Sequence, residues 1–390
     1  LANQYIARSR LAFTVDTRTS TEYGVVRTFA QADWQFTTGT DLAPASGTFG
    51  LENAFVQFAG FTIGKSASAY STPWNGTPGN NSTSLIGGND TSTGVNNIQY
   101  TWQFGNGLST SLGVDAGDVY DRTNLGNVLT AAGGSSITAA GIPANAYAGQ
   151  RAPDIVGRIR LDQVWGLLQF SAAAHNVTAG YYNATNETSG HPTDKWGFAV
   201  QGALQLKNLP TGPGDDIKID ASYAQGATRY VVATSGSTPN FLMFGSGDGG
   251  AYQSVGFGYT SDGIFSGNGN PLTNTGIELT TAWGIRGAYA HNWNANWQTS
   301  IFGSYTVVDY NGNATALYCA QYKVTVPGAY TCNPDFSVYQ IGSRTTWTPV
   351  KNLTLSAEVL YAHLGQNFEG SANYAGFGGS LAKPAATYSF

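Results

Sequence analysis

The sequence predicts an all-β protein, a transmembrane up-and-down antiparallel barrel, and three observations support this fold class. Apolar and polar side chains alternate along most of the chain, which is the period of a strand whose two faces meet different surroundings. Several predicted strands span 12 to 16 residues, whereas strands of globular proteins centre on about 5 to 6. Short turns alternate with long loops, as they do in barrels that cross an outer membrane.

Composition excludes several other classes of protein. The chain has 390 residues, of which 51 are Gly, 41% are hydrophobic and only 11% are charged. Together with a pI near 5.3, this disfavours a disordered chain, a helical bundle and a nucleic-acid binder. No run approaches the roughly 18 to 20 apolar residues that a membrane helix needs. The mean hydropathy of -0.18 is compatible with a barrel, because lipid-facing and lumen-facing residues average out.

The alternation assigns each strand residue to one of two faces. In residues 5–18 the odd positions are largely apolar, whereas the even positions include Arg8, Arg10 and Asp16. A soluble β-sandwich also alternates, so the alternation alone does not choose between sandwich and barrel. Tryptophans at strand ends favour the barrel, because aromatic girdles mark a membrane interface. They are Trp34, Trp165, Trp196, Trp293, Trp297 and Trp347.

About fifteen strands are predicted from this pattern. They cover residues 5–18, 23–38, 50–58, 61–66, 96–105, 107–118, 154–164, 167–179, 195–208, 216–231, 252–265, 278–293, 297–310, 335–350 and 353–367. With this set the up-and-down order fails once, between residues 232 and 277. Either a short strand near Phe241 to Phe244 is missing from the set, or one connection is misassigned.

The long connections are rich in Gly, Ser, Thr and Asn and cover residues 67–95, 119–153, 180–194 and 311–334. Loops of this length without regular structure are uncommon unless they are functional or disordered. Segment 67–95 contains Trp74 and one acid, Asp90, and it follows Lys65. We therefore consider this segment a candidate functional loop. Lys65 is equally well explained as an ordinary charge at a strand end.

Seven arginines on the polar parity of their strands form the best candidate functional set: Arg8, Arg10, Arg27, Arg158, Arg160, Arg286 and Arg344. In a water-filled lumen such a set favours anions or orients dipolar solutes. The alternative is salt bridging along the wall. A symmetric turn at 19–22, with paired residue numbers summing to about 41, sets Asp33 beside Arg8 and Asp16 diagonal to Arg27. Arg10, Arg158 and Arg160 then lack an acid neighbour, and about half of the set is expected to be structural.

The two cysteines, Cys319 and Cys332, predict a disulfide in a long loop. The nearest histidine to either is His291, so the close-set ligands of a metal site are missing. A disulfide is favoured over two free thiols and implies an oxidising compartment outside the cytoplasm.

No catalytic motif withstands inspection. Residues Gly245 to Gly250 match a dinucleotide-binding fingerprint, but a strand-like segment follows where a helix is required. The chain lacks the G-x-S-x-G motif, and its four histidines are scattered. The sequence thus predicts a protein that is not an enzyme and that has no cofactor and no metal ion.

Six stretches together resemble the alphaproteobacterial general porins. They are residues 8–19 with 21–28, residues 54–65 leading into segment 67–95, residues 279–284 with 291–293, and residues 332–337. The resemblance covers most of the chain, and its motifs are more specific together than singly. It departs at both ends, where we expect a terminal strand to be missing from the sequence. The chain starts without Met or a signal peptide, so we expect it to be mature or trimmed.

The resemblance implies a sixteen-stranded, homotrimeric porin of the bacterial outer membrane, a single barrel domain over residues 1–390. Its third loop, residues 67–95, would fold into the lumen as a constriction, where Lys65, Trp74 and Asp90 join the arginine set. The implied function is passive diffusion of small hydrophilic solutes, with membrane lipid and lipopolysaccharide as surroundings. Two alternatives remain: a solute-specific channel, which needs an aromatic track beyond Trp74, and a secreted β-sandwich binding protein.

Inward charge predicts the sign of ion selectivity. The inward cations are Arg8, Arg10, Arg18, Arg27, Arg158, Arg160, Arg286, Arg344, Lys195, Lys207 and Lys218, and the inward acids are Asp16, Asp33, Asp162, Asp220 and Glu358. The wall is therefore basic although the chain carries -5 overall. Acids at the mouth are screened over about 10 Å at 0.1 M salt, so wall charges dominate. We expect weak anion preference or near neutrality, with Arg10 and Arg27 contributing most and Asp90 opposing them.

Overall fold

The protein is described by a computed structural model. The described residues are 5–39, 41, 43, 45–81, 85–118, 122–130, 142–233, 240–244, 254–374 and 386–390. Within them, the main element is one fourteen-stranded sheet in which every strand pairs with its neighbours in chain order. All of these pairings are antiparallel, from the first hairpin to the last. The up-and-down order is therefore continuous across the sheet.

The fourteen strands are numbered in chain order. They are β1 (Arg8–Thr21), β2 (Gly24–Thr37), β3 (Thr48–Phe58), β4 (Phe61–Ser66), β5 (Val95–Gly105), β6 (Leu108–Asp115), β7 (Asp154–Gln163), β8 (Gly166–Val177), β9 (Lys195–Lys207), β10 (Asp216–Gln225), β11 (Thr281–Asn292), β12 (Trp297–Asp309), β13 (Phe336–Val350) and β14 (Leu353–Gln366). Short connections join them at one rim and long connections at the other. The two predicted loop lengths are thus confirmed.

The long connections contain shorter elements. These are strands Asn124–Asn127, Ala144–Asn145, Phe241–Phe244, Val255–Gly258, Ser261–Phe265, Glu278–Leu279, Gly328–Thr331, Glu369–Tyr374 and Ala386–Ser389, the single turns Val128–Thr130, Glu187–Ser189 and Thr228–Tyr230, and helix α1 (Gly312–Thr325). Asn311 caps α1, because its side chain accepts a hydrogen bond from the Ala314 N–H at 2.9 Å. Among the described residues, no helix is long and apolar enough to span a bilayer.

The predicted strand 252–265 is wrong as a member of the main sheet. Val255–Gly258 pairs with Phe241–Phe244, and Ser261–Phe265 pairs with Asn124–Asn127 in a separate sheet. All residues from 254 to 267 are buried, so protein covers both faces and the period-two pattern does not report a membrane wall. Without this strand the main sheet has an even number of strands, so the up-and-down order that failed in the sequence-based set no longer fails.

The register of the first hairpin also differs from the prediction. Arg10 lies opposite Gln35, and Ala12 lies opposite Asp33, so Asp33 is not the neighbour of Arg8. β1 continues to Thr21, and the turn comes just before Gly24, whose φ of +120° suits a residue without a Cβ. The turn therefore lies a few residues later than predicted.

The two faces of the sheet have opposite chemistry. The outer face exposes large apolar side chains such as Leu11 and Phe13, at 64% and 57%. All six predicted girdle tryptophans are also exposed, and Trp297 and Trp347 stack at the rim of short turns with ring centroids 5.6 Å apart. An apolar exposed surface of this extent fits contact with lipid.

The long connections pack against the inner face near the rim from which they leave. Val231, Val232 and Ile264 are fully buried there, in one apolar cluster with Ala199 and Ala224 of the strands. The small strand side chains leave the room that these segments fill. Hydrophobic burial therefore holds the long connections inside the curve of the sheet.

The Cys319–Cys332 disulfide is present, with Cα atoms 5.7 Å apart. It joins α1 to the strand that follows it within the connection between β12 and β13. Both cysteines pack against the apolar cluster, which here includes Tyr318 and Tyr322 of α1. The predicted disulfide is confirmed.

Candidate pore constriction

Residues 67–94, which we call the crossing segment, connect β4 to β5 and leave the wall between them. The neck of the segment is closed by polar side chains. The Ser68 N–H donates to the Thr91 hydroxyl at 3.1 Å, and the Ser71 and Thr91 hydroxyls lie 2.7 Å apart. Short polar side chains of this kind compete for backbone groups and favour turns over regular structure. The crossing segment therefore holds a compact shape without strands of its own.

Gln169 of β8 gives the first contact across the inner face. Its amide donates to the backbone carbonyls of Tyr70 and Ser71 at 3.2 and 3.0 Å. The Tyr70 ring meets Tyr230 edge-on, with centroids 4.7 Å apart, and burial raises the pKa of the Tyr70 hydroxyl. The crossing segment thus reaches strands four places away from its origin at β4.

A buried ion pair anchors the middle of the crossing segment. Arg286 of β11 donates through Nε to Asp220 of β10 at 2.8 Å, and both side chains are fully buried. The indole N–H of Trp74 donates to the other Asp220 oxygen at 2.6 Å. Arg286 also donates to the carbonyls of Leu85 and Asn89 at 3.2 and 2.7 Å. The guanidinium therefore binds the wall and the segment at once.

The far end of the crossing segment is bound by side chains of β12, β13 and β14. Ser300 donates to the carbonyl of residue 79 at 2.6 Å, and Arg344 donates to that of Asn80 at 3.1 Å. Glu358 accepts from the Asn81 N–H at 2.6 Å, and Gln340 accepts from the Ile86 N–H at 2.9 Å. We call the inner faces of β10 to β14 the covered wall.

Leu85 adds an apolar contact between the crossing segment and the covered wall. It is fully buried against Ala288 of β11 and Phe302 of β12. Burying a leucine side chain stabilises by about 1.5–3 kcal/mol. Polar anchors and this contact together fix the segment on one side of the inner face.

The inner faces of β1 to β3, the open wall, carry charges that the crossing segment does not touch. Arg10 pairs with Asp33 at 2.9 Å, and Arg27 pairs with Asp16 at 2.8 Å. Arg18 shares Asp16 at 3.1 Å, with 63% of its own side chain exposed. Exposed pairs of this kind contribute about 0–1 kcal/mol each. Arg10, Arg18, Arg27 and Asp16 are thus partly exposed to solvent along the open wall, whereas the Asp33 side chain is only 5% exposed.

Comparison with known proteins identifies the family to which the chain belongs. The whole chain, residues 1–390, matches a family model described as a porin subfamily. The chain belongs to the porin family. Among solved structures, the porin is similar to the outer membrane channel DcaP of Acinetobacter baumannii, with a TM-score of 0.52 and 13% identity over 98% of this chain and 92% of that chain.

Two further solved structures match more distantly. The anion-selective porin from Comamonas acidovorans has a TM-score of 0.40 and 9% identity over 99% of this chain and 94% of that one. Salmonella typhi OmpF in complex with daunomycin has a TM-score of 0.42 and 9% identity over 91% and 90%. No curated protein matches. The protein is a porin channel for diffusion, located in the bacterial outer membrane, whereas the alphaproteobacterial subgroup stays a prediction.

The structure separates five of the seven predicted arginines into two groups, and Arg158 and Arg160 lie on β7. Arg286 and Arg344 bind the crossing segment at the covered wall. Arg8, Arg10 and Arg27 lie on the open wall. The porin thus uses the same residue type on the same strand parity for two different purposes.

Several predicted charge environments need correction. Arg10 and Arg160 do have acid partners, because Asp33 lies at 2.9 Å and Asp162 at 2.7 Å. The first partner was missed because the predicted hairpin register was wrong. Arg158 donates to the Ser111 hydroxyl at 3.2 Å, and no salt bridge to it is found in the described part of the porin.

Three predicted constriction residues have other surroundings than expected. Trp74 is only 6% exposed and its indole N–H faces Asp220, so the ring is not available to a passing solute. Lys65 pairs in register with Ala54 and so takes the outer parity of β4; its ammonium group donates to the carbonyls of Glu52 and Thr93. Asp90 accepts from the Ser92 N–H at 3.0 Å within the crossing segment.

Sequence reasoning missed the polar anchors Gln169, Ser300 and Gln340. All three lie on the inner parity of their strands and are buried, a combination that polar alternation could have suggested. Their partners are backbone groups of the crossing segment, up to 254 residues away in sequence. No local pattern reports contacts of that kind.

Proposed function

We propose that small hydrophilic solutes diffuse between the open wall and the crossing segment, with a weak preference for anions. The observation that supports this is the one-sided attachment of the crossing segment. It is bonded to β8 and to β10 through β14, and it leaves the arginines of β1 and β2 partly exposed. The crossing segment would then narrow the lumen from one side, as the constriction of a diffusion channel does.

Charge on the open wall supports the sign of the selectivity. Four cations, Arg8, Arg10, Arg18 and Arg27, face two acids, Asp16 and Asp33. The difference is two positive charges, because each acid offsets one cation. On the covered wall, Arg286 is buried against Asp220 and contributes little field to the lumen. A small positive excess favours anions without excluding cations.

We propose further that the sheet closes into a barrel of sixteen strands and that three porin chains associate in the membrane. Closure is supported by the chemistry of lipid, because an unpaired strand edge within a bilayer costs several kcal/mol for each unsatisfied backbone group. β1 and β14 are the two edges of the described sheet. An outer face rich in apolar side chains supports contact with lipid, including lipopolysaccharide, and with neighbouring chains.

Planar-bilayer recording of the purified full chain tests the proposal. We expect stepwise ohmic conductance and, in a salt gradient, a zero-current potential displaced modestly toward that of the anion. Absence of steps, or strong cation selectivity, would contradict it. A solute-specific channel would instead show block by one solute at low concentration, which the buried position of Trp74 argues against.

A further inference from the structure

A buried cluster of titratable groups lies on the inner face near the rim of long connections. His175 of β8 is 3% exposed, and the carboxyl groups of Asp154 and Asp262 that flank it are 1% and 0% exposed. Nδ1 of His175 lies 2.7 Å from Asp154, and Nε2 lies 3.2 Å from the Tyr147 hydroxyl and 3.8 Å from Asp262. The cluster lies apart from the crossing-segment anchors at Asp220 and Arg286.

The hydrogen bonds around Asp262 define the proton positions. One of its oxygens accepts from the Thr228 N–H at 2.7 Å and the Thr228 hydroxyl at 2.9 Å. The other accepts from the Thr123 N–H at 2.9 Å and the Tyr147 hydroxyl at 2.7 Å. Three donors and the Thr228 hydroxyl, which also lies 3.1 Å from the Ser261 carbonyl, thus surround this carboxyl group, a pattern that suits a carboxylate. The Tyr147 proton is thereby committed to Asp262.

Each ring nitrogen of His175 then faces an oxygen atom. Nδ1 faces Asp154, whose other oxygen accepts from the Tyr230 hydroxyl at 2.7 Å. Nε2 faces the oxygen of Tyr147, whose only proton points to Asp262. A neutral imidazole carries a proton on one ring nitrogen and a lone pair on the other. That lone pair would face either the Tyr147 oxygen or the Asp154 carboxyl group. An acceptor oxygen at each ring nitrogen favours the imidazolium ion.

The cluster joins three parts of the chain. Thr123 and Tyr147 belong to the connection between β6 and β7, and Thr228, Tyr230 and Asp262 belong to that between β10 and β11. The second connection also holds the crossing segment, because the N–H of residue 87 donates to the Val231 carbonyl at 2.9 Å. Besides their apolar contacts, both connections thus meet the wall at His175.

Resting on the proposed diffusion function, we propose that His175 is a proton-operated lock that holds these two connections inside the lumen. While the connections are in place, the flanking carboxyl groups stabilise the protonated form of His175. A histidine that is released into water lacks this stabilisation. By linkage, locking is complete at low pH and is lost as pH rises through the titration of His175. Deprotonation leaves two buried carboxylates beside a neutral ring and lets the connections move outward.

Two other charged groups near the cluster offer alternative sources of a pH response. Asp115 of β6 lies opposite Asp154 in register, and Arg122 lies over the Tyr147 ring at 4.6 Å. Asp115 is fully buried, so its own titration is a competing source of a pH-dependent movement of the same connections. The experiment must therefore separate His175 from Asp115.

Single-channel conductance of the full porin across the pH range of histidine titration, around 6.5 for a free side chain, tests the lock. We expect larger and noisier conductance at the alkaline end. His175→Gln should lose this pH dependence and resemble the alkaline wild type at every pH. His191→Gln, a change in the connection between β8 and β9, should behave as the wild type does. Asp115→Asn should keep the alkaline transition.

Hydrogen exchange of residues 122–130 and 226–233 provides a readout that does not need conductance. Protection should fall at alkaline pH in the wild type and be low throughout in His175→Gln. If that variant does not fold, Asp154→Asn should shift the transition to lower pH. A conducting wild type without pH dependence, or a transition lost in Asp115→Asn but kept in His175→Gln, would overturn the lock. Absence of any conductance with a normal exchange transition would contradict the diffusion function and leave the lock supported.

Discussion

The covered wall and the open wall use arginine in opposite ways. On the covered wall, Arg286 is fully buried, pairs with Asp220 and donates to two backbone carbonyls of the crossing segment. On the open wall, Arg10 keeps 39% of its side chain exposed while it pairs with Asp33. Both arginines point inward from a strand. Their roles differ because the crossing segment removes water from one and not from the other.

The physical consequence of this difference lies in the dielectric surroundings. A buried guanidinium without its partners has a high desolvation cost, so it makes its neighbours interdependent. An exposed guanidinium is solvated and screened, so its charge acts on mobile ions rather than on the fold. The comparison predicts stability effects on the covered wall and selectivity effects on the open wall.

The largest effect is expected from Arg286→Met. It leaves Asp220 and the carbonyls of Leu85 and Asn89 without their buried donor, at a cost of about 3–5 kcal/mol. The thermal midpoint of the porin should fall and its conductance should rise as the crossing segment loosens. Heat-modified gel mobility and bilayer recording measure the two. Arg8→Met on the open wall is the matched control, and equal effects of the two variants would remove the distinction between the walls.

A smaller effect is expected from Trp74→Phe. The ring is retained but the indole donor to the buried Asp220 is lost, which costs about 1.5–3 kcal/mol for a hydrogen bond to a charged group. Protease cleavage within residues 67–94 should become faster. Trp34→Phe, on the outer face, is the control. Unchanged cleavage in Trp74→Phe would show that Asp220 does not need this donor.

Arg10→Gln should change selectivity and lower stability less than Arg286→Met does, because only the Asp33 side of this ion pair is buried. Loss of one positive charge next to Asp33 should shift the zero-current potential toward that of the cation. The same charge change in Arg151→Gln, at the rim where Arg151 pairs with Asp194, should shift it less because mouth charges are screened within about 10 Å. A larger shift from Arg151→Gln would mean that the mouth controls selectivity.

Loss of the Cys319–Cys332 disulfide should have the smallest effect on the channel. Closing a loop of about 14 residues removes roughly 3 kcal/mol of unfolded-state entropy in the chain-entropy picture, yet the bond lies outside both walls. The double change Cys319→Ser with Cys332→Ser should increase hydrogen exchange in α1 and leave conductance unaltered. Loss of conductance would place this connection in the solute path.

The sequence by itself determined the wall of the barrel. Alternating faces, strand lengths, girdle tryptophans, the disulfide and the inward parity of the arginines are local properties, since a strand residue faces one side or the other according to its position alone. The same reasoning failed at residues 252–265, where protein covers both faces and alternation loses its meaning. It also misplaced the first turn, because a hairpin register depends on which turn residue takes the positive φ.

Only the tertiary structure decided what each inward side chain does. Arg286 and Arg10 are equivalent in pattern, and the crossing segment alone makes one an anchor and leaves the other on the open wall. Trp74 is an aromatic residue in the candidate functional loop, as a solute contact would be. Its indole N–H, however, donates to Asp220, 146 residues away. The groups that surround His175 come from two separate connections. These partners are distant in sequence and are brought together by burial, which no local periodicity encodes.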